Sequence, residues 1–559
     1  MCRLNNAEST SRKLFRDHEV TAFTSKNSPT SPNYAKNRSD MLEMVAQLRQ
    51  LEKRTVDLSN KRRPVFEERG QIPPHDRLAR LLDPGMPFLQ LHSLANYLVE
   101  DENPETSVPG ANVIAGVGYL KGVRCLIWID DSGIRAGSYT QTTNAMVLSI
   151  QDIAKRQKLP VIHLVESAGA DLMRFTVENW ILAGSMFRNL AQMSAAGIPI
   201  ITVLHGPSTA GGAYMPGMSD YVIGVKKNGL AALAGAALVK AATGEEVDER
   251  ELGGSEMHAS VSGVIEYLAE DDAQAIEMAR DTVGRLNWNR HASPNLPEQY
   301  NSPLYSADEL AGLAPVSYQT PYDVRELVAR IVDGSEFSEF KSLYGSATVC
   351  LQASIMGFPC GIVGNNGPID PNGATKATQF FQLCDQSRTP LIFLHNTTGY
   401  IVGTESEQAG MIKHGSKMIQ AVTNVRVARI SIYVGASYGA GNYGMCGMSY
   451  NPDFLFAWPN AQTNVMGWES AANTMRQVNE AAAIRRGKPL SDQELDNIEK
   501  EVEAHFSKQE NAFYSAGRLL SHGVIDPRDT RKVLGFCLAT CREAESRSLQ
   551  ANSFGVARP

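Results

Sequence analysis

The chain of 559 residues is longer than a single hydrophobic core usually serves, so two domains of comparable size are expected. With 43% hydrophobic and 20% charged residues the composition is that of a globular protein, and no apolar run reaches the length that spans a bilayer. The net charge of -7 argues against a nucleic-acid partner, which calls for a basic face, and means that an anionic ligand must be caught by local groups.

Residues 1–40 are rich in Ser, Asn, Thr and basic side chains without apolar periodicity, which predicts a disordered extension. A transit peptide is the alternative, and Glu8, Asp17 and Glu19 speak against it because such peptides are poor in acids. From Met41 to Leu58 apolar residues recur at helical spacing through Leu42, Val45, Leu48 and Leu51, an amphipathic entry helix. A second helix, Asp76 to Leu82, stops at Asp83-Pro84-Gly85, where proline cannot continue the ladder and glycine supplies positive φ. Ala111 to Asp130 reads as strand, turn and strand around Lys121-Gly122. Two short apolar strands follow: Pro160 to Val165 runs into Glu166-Ser167-Ala168-Gly169-Ala170, and Ile198 to Leu204 into the loop Gly206 to Tyr214.

After a linker rich in Pro, Asn and Ser, assigned to 291–320, the same order returns. Cys360 to Asn366 matches Cys125 to Asp130 as the second arm of a hairpin-like pair. Pro390 to Leu394 ends in Asn396-Thr397-Thr398-Gly399-Tyr400, and Ile430 to Val434 ends in Gly435 to Tyr443. Gly399 lies 230 positions after Gly169, and Gly441 lies 230 after Gly211. A shared offset at two turns of the same chemistry indicates an internal duplication, with domains at 41–290 and 321–559.

Glycine-rich turns after buried strands let backbone N–H groups approach a ligand oxygen, and a following helix start adds positive potential. Two such turns are suited to holding two oxyanions; close helix–sheet packing is the plainer use of the same glycines. Neither turn is a dinucleotide fingerprint or a Walker motif. Gly435-Ala436-Ser437-Tyr438-Gly439 formally matches a nucleophile elbow with His505 or His522 downstream, but the first half shows no serine at the matching offset. The eight cysteines are scattered, Cys537 and Cys541 standing one helical turn apart, and are read as reduced core thiols; no metal-ligand spacing occurs.

Several ordered segments between about Arg69 and Gly535 resemble the carboxyltransferase (β) subunits of biotin-dependent acyl-CoA carboxylases, in the 3-methylcrotonyl-CoA and geranyl-CoA branch. They are Arg77 to Gly85, Thr209 to Pro216, Val239 to Glu245, Asp323 to Glu326 with Ile331 to Phe337, Gly439 to Gly447, and Gly523 to Pro527. The resemblance implies two tandem crotonase-like (ββα superhelix) α/β domains behind an N-terminal helical extension. It implies transfer of a carboxyl group from carboxybiotin to an acyl-CoA through an enolate, with no catalytic base from the protein and no metal. A biotin-dependent decarboxylase or transcarboxylase, or a catalytically impaired scaffold, are the alternatives on the same fold.

Carried over by position, Gly211 and Gly212 face the enolate, and Ala440 and Gly441 the biotin oxygen. Ser167, Ala168, Gly169 and Ala170 line the CoA side, Thr397, Thr398, Gly399 and Tyr400 the biotin side, and Tyr214 and Trp468 are substrate-pocket candidates. Biotin resides on a partner, the biotin carboxylase/biotin carrier (α) subunit, since no Ala-Met-Lys-Met sequence occurs here. The implied assembly is a homo-oligomer, a hexamer, in which the N-domain of one subunit faces the C-domain of another. The compartment, cytoplasm or mitochondrial matrix, is left open.

Departures gather in the first half: Asn144-Ala145-Met146 replaces a Lys pair, Glu166-Ser167-Ala168-Gly169-Ala170 replaces Asp-Ser-Gly-Gly-Ala, and Ala234-Gly235-Ala236-Ala237 replaces Ala-Gly-Pro-Pro. In the second half, Trp468 stands in place of a glycine.

Overall fold

The computed structural model describes residues 22–171, 173–174, 176–292 and 296–558. Two sheets carry the fold. The first contains β1 Leu89–Leu91, β2 Val113–Leu120, β3 Val123–Asp130, β4 Val161–Ser167, β5 Ile200–Thr209, β6 Tyr221–Val225, β7 Leu230–Ala232 and β8 Tyr267–Ala269. The second contains β9 Phe337–Glu339, β10 Thr348–Ile355, β11 Phe358–Asn365, β12 Leu391–Thr397, β13 Arg429–Tyr438, β14 Phe454–Ala457 and β15 Gln462–Asn464. Their orders are β1-β2-β3-β4-β5-β6-β8, with β7 on β5, and β14-β13-β12-β11-β10-β9, with β15 on β13. In each, a short edge strand, β1 or β9, pairs with an antiparallel hairpin, β2–β3 or β10–β11, and the sheet continues in parallel through β4–β5 or β12–β13. The parallel strands are covered on both faces, which explains their unbroken apolar runs; β4 is buried from end to end.

The helices that matter below are α1 Pro32–Asn60, α2 Pro74–Leu81, α3 Gln141–Arg156, α4 Val177–Ala196, α5 Ala236–Thr243, α6 Pro371–Ser387, α7 Gly439–Gly444, α8 Trp468–Arg485 and α9 Asp492–Glu510. α1 buries Met41, Val45, Leu48 and Leu51, as the periodicity predicts. It starts nine residues before the expected Met41, capped by Ser31, whose side chain accepts the Tyr34 N–H. Upstream of it, Ser25 Oγ donates to Glu326 Oε2 at 2.6 Å, the Lys26 N–H donates to Glu326 Oε1 at 2.7 Å, and Phe23 stacks on Phe337. Residues 22–40 therefore pack, and disorder is not their state: a polar segment with little apolar surface is held by hydrogen bonds to Glu326, a signal composition does not carry. The rest of the expected extension, 1–21, lies outside the described residues.

Part of the segment expected as a linker also packs. Leu310–Leu313 forms a buried helical turn against α1, so close that a Cβ on Gly312 would lie 2.3 Å from the Tyr34 ring. One hydrophobic cluster joins both sheets, from Trp128 and Leu204 to Ile355 and Leu534, and Arg124 meets Glu543 across it at 2.6 Å. Cys537 and Cys541 lie in this core; all seven described cysteines are buried and unpaired, and Cys2 lies outside the described residues.

The duplication reaches into side-chain detail. Asp83, at the end of the first motif, accepts the N–H groups of Lys121 and Gly122 at the β2–β3 turn, at 2.9 and 2.7 Å. Asp333, in the matching motif of the second half, accepts those of Met356 and Gly357 at the β10–β11 turn, at 2.8 and 2.7 Å. Each aspartate has its own arginine, Arg280 or Arg531. These motif residues build hairpins rather than sites.

Candidate active site

The turns of interest begin where parallel pairing fails. Both β4–β5 and β12–β13 shift register at the same point, between Val165 and Ser167 and between His395 and Thr397, leaving Glu166 and Asn396 unmatched. Beyond the bulge, Ser167 faces Ser208 and Thr397 faces Ser437. The first turns thus keep the offset of 230, as the bridges Tyr139–Ala170 and Ile369–Tyr400 also show, whereas the second turns stand 229 apart. The expected common offset is corrected by one residue: Gly211 corresponds to Ala440, Gly212 to Gly441 and Tyr214 to Tyr443. The positive-φ residues opening the turns agree, Ala210 and Gly439, both at φ 54.

This correction gives Ser437 a counterpart after all, Ser208, and both are fully buried. Ser437 Oγ bonds to His395 Nδ1 at 2.8 Å and accepts from Asn442 Nδ2 at 2.8 Å. His505 is exposed beside Gln509, and His522 Nδ1 accepts the Leu455 N–H. Neither histidine reaches the serine, and the nucleophile-elbow pattern is a buried turn support.

Among the first-half candidates, Ser167, Gly169, Ala170, Gly211 and Gly212 line one cavity of about 740 Å³, all of whose walls come from Asp130 to Met215. Ser167 Oγ donates to the Gly137 carbonyl and accepts the Gly169 N–H, and Gly169 takes φ 80, holding the turn open. Gly211 adjoins open space: a Cβ there would meet only Phe187 Cζ, at 3.9 Å. Ala168 points the other way, into a smaller hollow of about 100 Å³ rimmed by Arg62 and Arg69. Tyr214 stands beside the main cavity, edge-on to Phe187 and 49% exposed.

Side chains from three elements complete the cavity without a linear sequence signal. Asp130 ends β3 and accepts a hydrogen bond from Tyr139 at 2.7 Å, while His163, stacked on Trp128, contacts the same oxygen at 3.2 Å. Burial, then the Asp130 charge, pushes the Tyr139 phenol well up, so it stays a donor. Asn144 of α3 donates to Asn179 of α4 at 2.8 Å, and its own carbonyl oxygen is buried without a hydrogen-bond partner. α4 adds apolar surface, with Trp180, Ile181 and Leu182 all more than half exposed. Asn144 is visible in sequence only as a departure; Asp130 and Asn179 carry no signal.

In the second half, Thr397 Oγ1 accepts the Gly399 N–H, and Gly399 has φ 117. Gly441 is buried on it, since a Cβ would fall 2.8 Å from Gly399 Cα. Thr398 and Ala440 are exposed, Tyr400 is half-buried, and its hydroxyl donates to the Gly415 carbonyl. Trp468 opens α8 just as Ala236 opens α5, each after a glycine, so two of the noted departures occupy one repeated position. Among the described residues no group of His, Cys, Asp and Glu is placed to hold a metal ion.

With one such turn opening onto a large cavity and a second repeating it, the chain matches one family model over residues 67–556, the carboxyl transferase domain. The chain belongs to the carboxyl transferase family. It is 46% identical to the probable biotin-dependent acyl-coenzyme A carboxylase beta2 subunit of Mycobacterium tuberculosis, over 88% of this chain and 91% of that one. It is 42% identical to the mitochondrial methylcrotonoyl-CoA carboxylase beta chain of Arabidopsis thaliana, over 88% and 84% of the two chains. The crystal structure of the geranyl-CoA carboxylase beta subunit of P. aeruginosa matches with a TM-score of 0.90 and 48% identity, covering 96% of this chain and all of that one. The expected resemblance, the fold class and the carboxyltransferase activity are thereby met, and no described helix is long and apolar enough to cross a membrane.

Proposed function

We propose that the chain, as a carboxyltransferase component, binds an acyl-CoA with its acyl group in the first-half cavity and stabilises its enolate with the Gly211–Gly212 turn. The observation that carries this reading is that the turn and the Ser167–Ala170 loop open onto one cavity of about 740 Å³. Backbone donors fixed at a turn need no reorganisation as negative charge develops on the thioester oxygen. The volume and the apolar wall from α4 suit a branched or extended acyl group. Arg62 and Arg69 stand at the hollow behind Ser167 and Ala168, where they supply the positive charge that the CoA phosphates require of an acidic chain.

Thr397–Tyr400 with Ala440 and Gly441 form the biotin side. These groups fit a neutral ring bearing a carbonyl: exposed Ala440 and Thr398 offer an amide and a hydroxyl on a surface that glycine leaves bare. Biotin, carried on an α-type partner subunit, supplies the activated carboxyl group and takes up the substrate proton; the chain's own part is to hold both oxygens and keep water out. The first-half cavity is walled by that half alone, and exposed apolar side chains flank both turns, Trp180 and Ile181 on one side, Val402 and Val465 on the other. This supports an assembly, a hexamer, in which the first half of one subunit faces the second half of another. The compartment follows from the organism, cytoplasm or mitochondrial matrix.

The test is to reconstitute the chain with its biotinylated partner, ATP and labelled bicarbonate over a panel of acyl-CoAs. Label entering a CoA ester is the expected result. Loss of label from carboxyacyl-CoAs without fixation points to a decarboxylase, and no ligand-linked stabilisation by any acyl-CoA points to a scaffold.

A further inference from the structure

The Arg77–Gly85 segment contains an arginine that the hairpin role of Asp83 does not use. Arg77 lies on α2, is fully buried, and has Nη1 2.7 Å from Glu166 Oε2 and Nη2 3.2 Å from Asp272 Oδ2. Glu166 is the one residue of β4 at the register shift, immediately before Ser167, and stands opposite three residues of β5, His205, Gly206 and Pro207. Its other oxygen accepts from Gln71 Nε2 at 3.1 Å, and the same amide donates to the His205 carbonyl of β5 at 2.9 Å. Gly206 follows, and a Cβ there would come within 2.5 Å of Glu166 Cγ. Glu166 thus sits across the two strands that carry the Ser167–Ala170 loop and the Gly211–Gly212 turn.

Behind it, His205 Nδ1 meets Asp272 Oδ1 at 2.8 Å, and Asp272 also accepts the Ile72 N–H. Burial favours the neutral Asp272 acid, but the charge and hydrogen bond of His205, with Arg77 and the Ile72 amide, outweigh it and hold the group at about 2. The network is therefore anionic at Asp272 and fixed from several sides. The second half has the same bulge at Asn396, packed over Gly435 with its Oδ1 2.4 Å from where a Cβ would stand. There the support is neutral: Asn396 Nδ2 donates to the Asn365 carbonyl at 3.5 Å. The fold alone does not require a buried charge at this bulge, and only the acyl-CoA side has one.

We infer that Glu166, paired with the buried Arg77, is a positioning residue for the acyl-CoA side, holding the Ser167–Ala170 loop and the Gly211–Gly212 turn at a fixed separation. The inference rests on the reading of that side as the acyl-CoA site, but its first test does not. Glu166→Gln keeps the shape and gives this bulge the neutral character of its second-half counterpart. In the isolated chain, amide hydrogen exchange at 168–170 and 211–213 is expected to speed up about tenfold, while exchange at 399–401 and 440–442 stays near wild type. In the reconstituted holoenzyme, KM for the acyl-CoA rises by a similar factor, acyl-CoA-independent ATP turnover is unchanged, and Glu166→Asp restores most of the loss. Gln71→Met, which breaks the bridge between the strands without stranding a charge, shifts the same amides in the same direction and reports on the clamp should Glu166→Gln fail to fold. Unchanged exchange in the folded variants overturns the inference, as does equal acceleration in both halves, which marks general destabilisation. Failure of the wild-type holoenzyme to fix label on any CoA ester would sink the functional reading instead and leaves the exchange result standing.

Discussion

Adding one methyl group at each of two glycines separates packing from chemistry. At Gly441 an added Cβ would lie 2.8 Å from Gly399 Cα and 3.1 Å from Thr397 Cγ2. The first contact is with backbone, at a residue whose φ of 117 already confines it to glycine, so no rotamer change relieves the clash. Gly441→Ala is expected to cost about 1–3 kcal/mol, the usual price of overpacking. At Gly211 the nearest atom is Phe187 Cζ at 3.9 Å, ordinary contact, and removing a glycine from the unfolded chain contributes about 0.4–1 kcal/mol of stability. Gly211→Ala should therefore be at least as stable as wild type, while its methyl occupies cavity space beside the proposed enolate. Denaturant unfolding followed by circular dichroism, with carboxylation measured on the same preparations, checks both halves of the argument. Wild-type stability in Gly441→Ala, or equal destabilisation in the two variants, would refute the packing of the second-half turns described above.

Gly212→Val places a branched side chain whose Cβ starts 3.0 Å from Ser208 Oγ; turnover should fall by about 10²–10³, the cost of one lost oxyanion donor, with the circular dichroism spectrum retained. Normal kcat in that variant removes the enolate role. Arg62→Ala with Arg69→Ala should raise KM for acyl-CoA and flatten its dependence on salt, while leaving the KM for acyl-pantetheine, which lacks the nucleotide, unchanged. Complete burial pushes the His395 imidazole down to about 3, so in acid the unfolded chain takes up a proton that the folded chain refuses. Its contribution is whole above about pH 6.5 and is lost at about 1.4 kcal/mol per pH unit as the pH falls towards the folded value. Unfolding free energies between pH 7 and 4 should fall at least this steeply, since burial depresses His92 and His522 as well, and His395→Asn should remove about this much of the slope; an identical slope in the variant contradicts the assignment.

The sheet framework was legible because buried parallel strands are short apolar runs and their turns are marked by glycine: β4, β5, β12 and β13 all begin within about two residues of where the pattern puts them. The duplication was legible for the same reason. Its register was not fully so, because the connection between the two strands is one residue shorter in the second half, 33 positions from Ser167 to Ile200 against 32 from Thr397 to Arg429, and the length of a connection leaves no mark at the turns themselves. That one-residue difference shifted the second turns from 230 to 229 and concealed the kinship of Ser208 and Ser437. Residues 22–40 were missed because Ser25 and Lys26 are held by one distant carboxylate, Glu326, which composition cannot connect to them. Asp130, Asn144 and Asn179 meet only because β3, α3 and α4 converge on one cavity.

The two halves share a scaffold but differ at their turns, and the difference bears on how one fold would serve the two unlike ligands proposed for it. In the second half the two turns touch, Gly441 seated on Gly399, so the bare backbone surface is narrow and rigid, which suits the small planar ring proposed for it. In the first half Gly212, the counterpart of Gly441, stands clear of Gly169, since a Cβ there would meet only Ser208 Oγ at 3.0 Å, and the gap between the turns widens into a cavity, which suits the acyl-CoA proposed for it. A gap of that kind lacks the direct turn-to-turn contact that stiffens its counterpart, and the rigidity an oxyanion site needs must come from behind the strands. The buried Arg77, Glu166 and Gln71 stand behind the strands there, and the half whose turns touch makes do with Asn396.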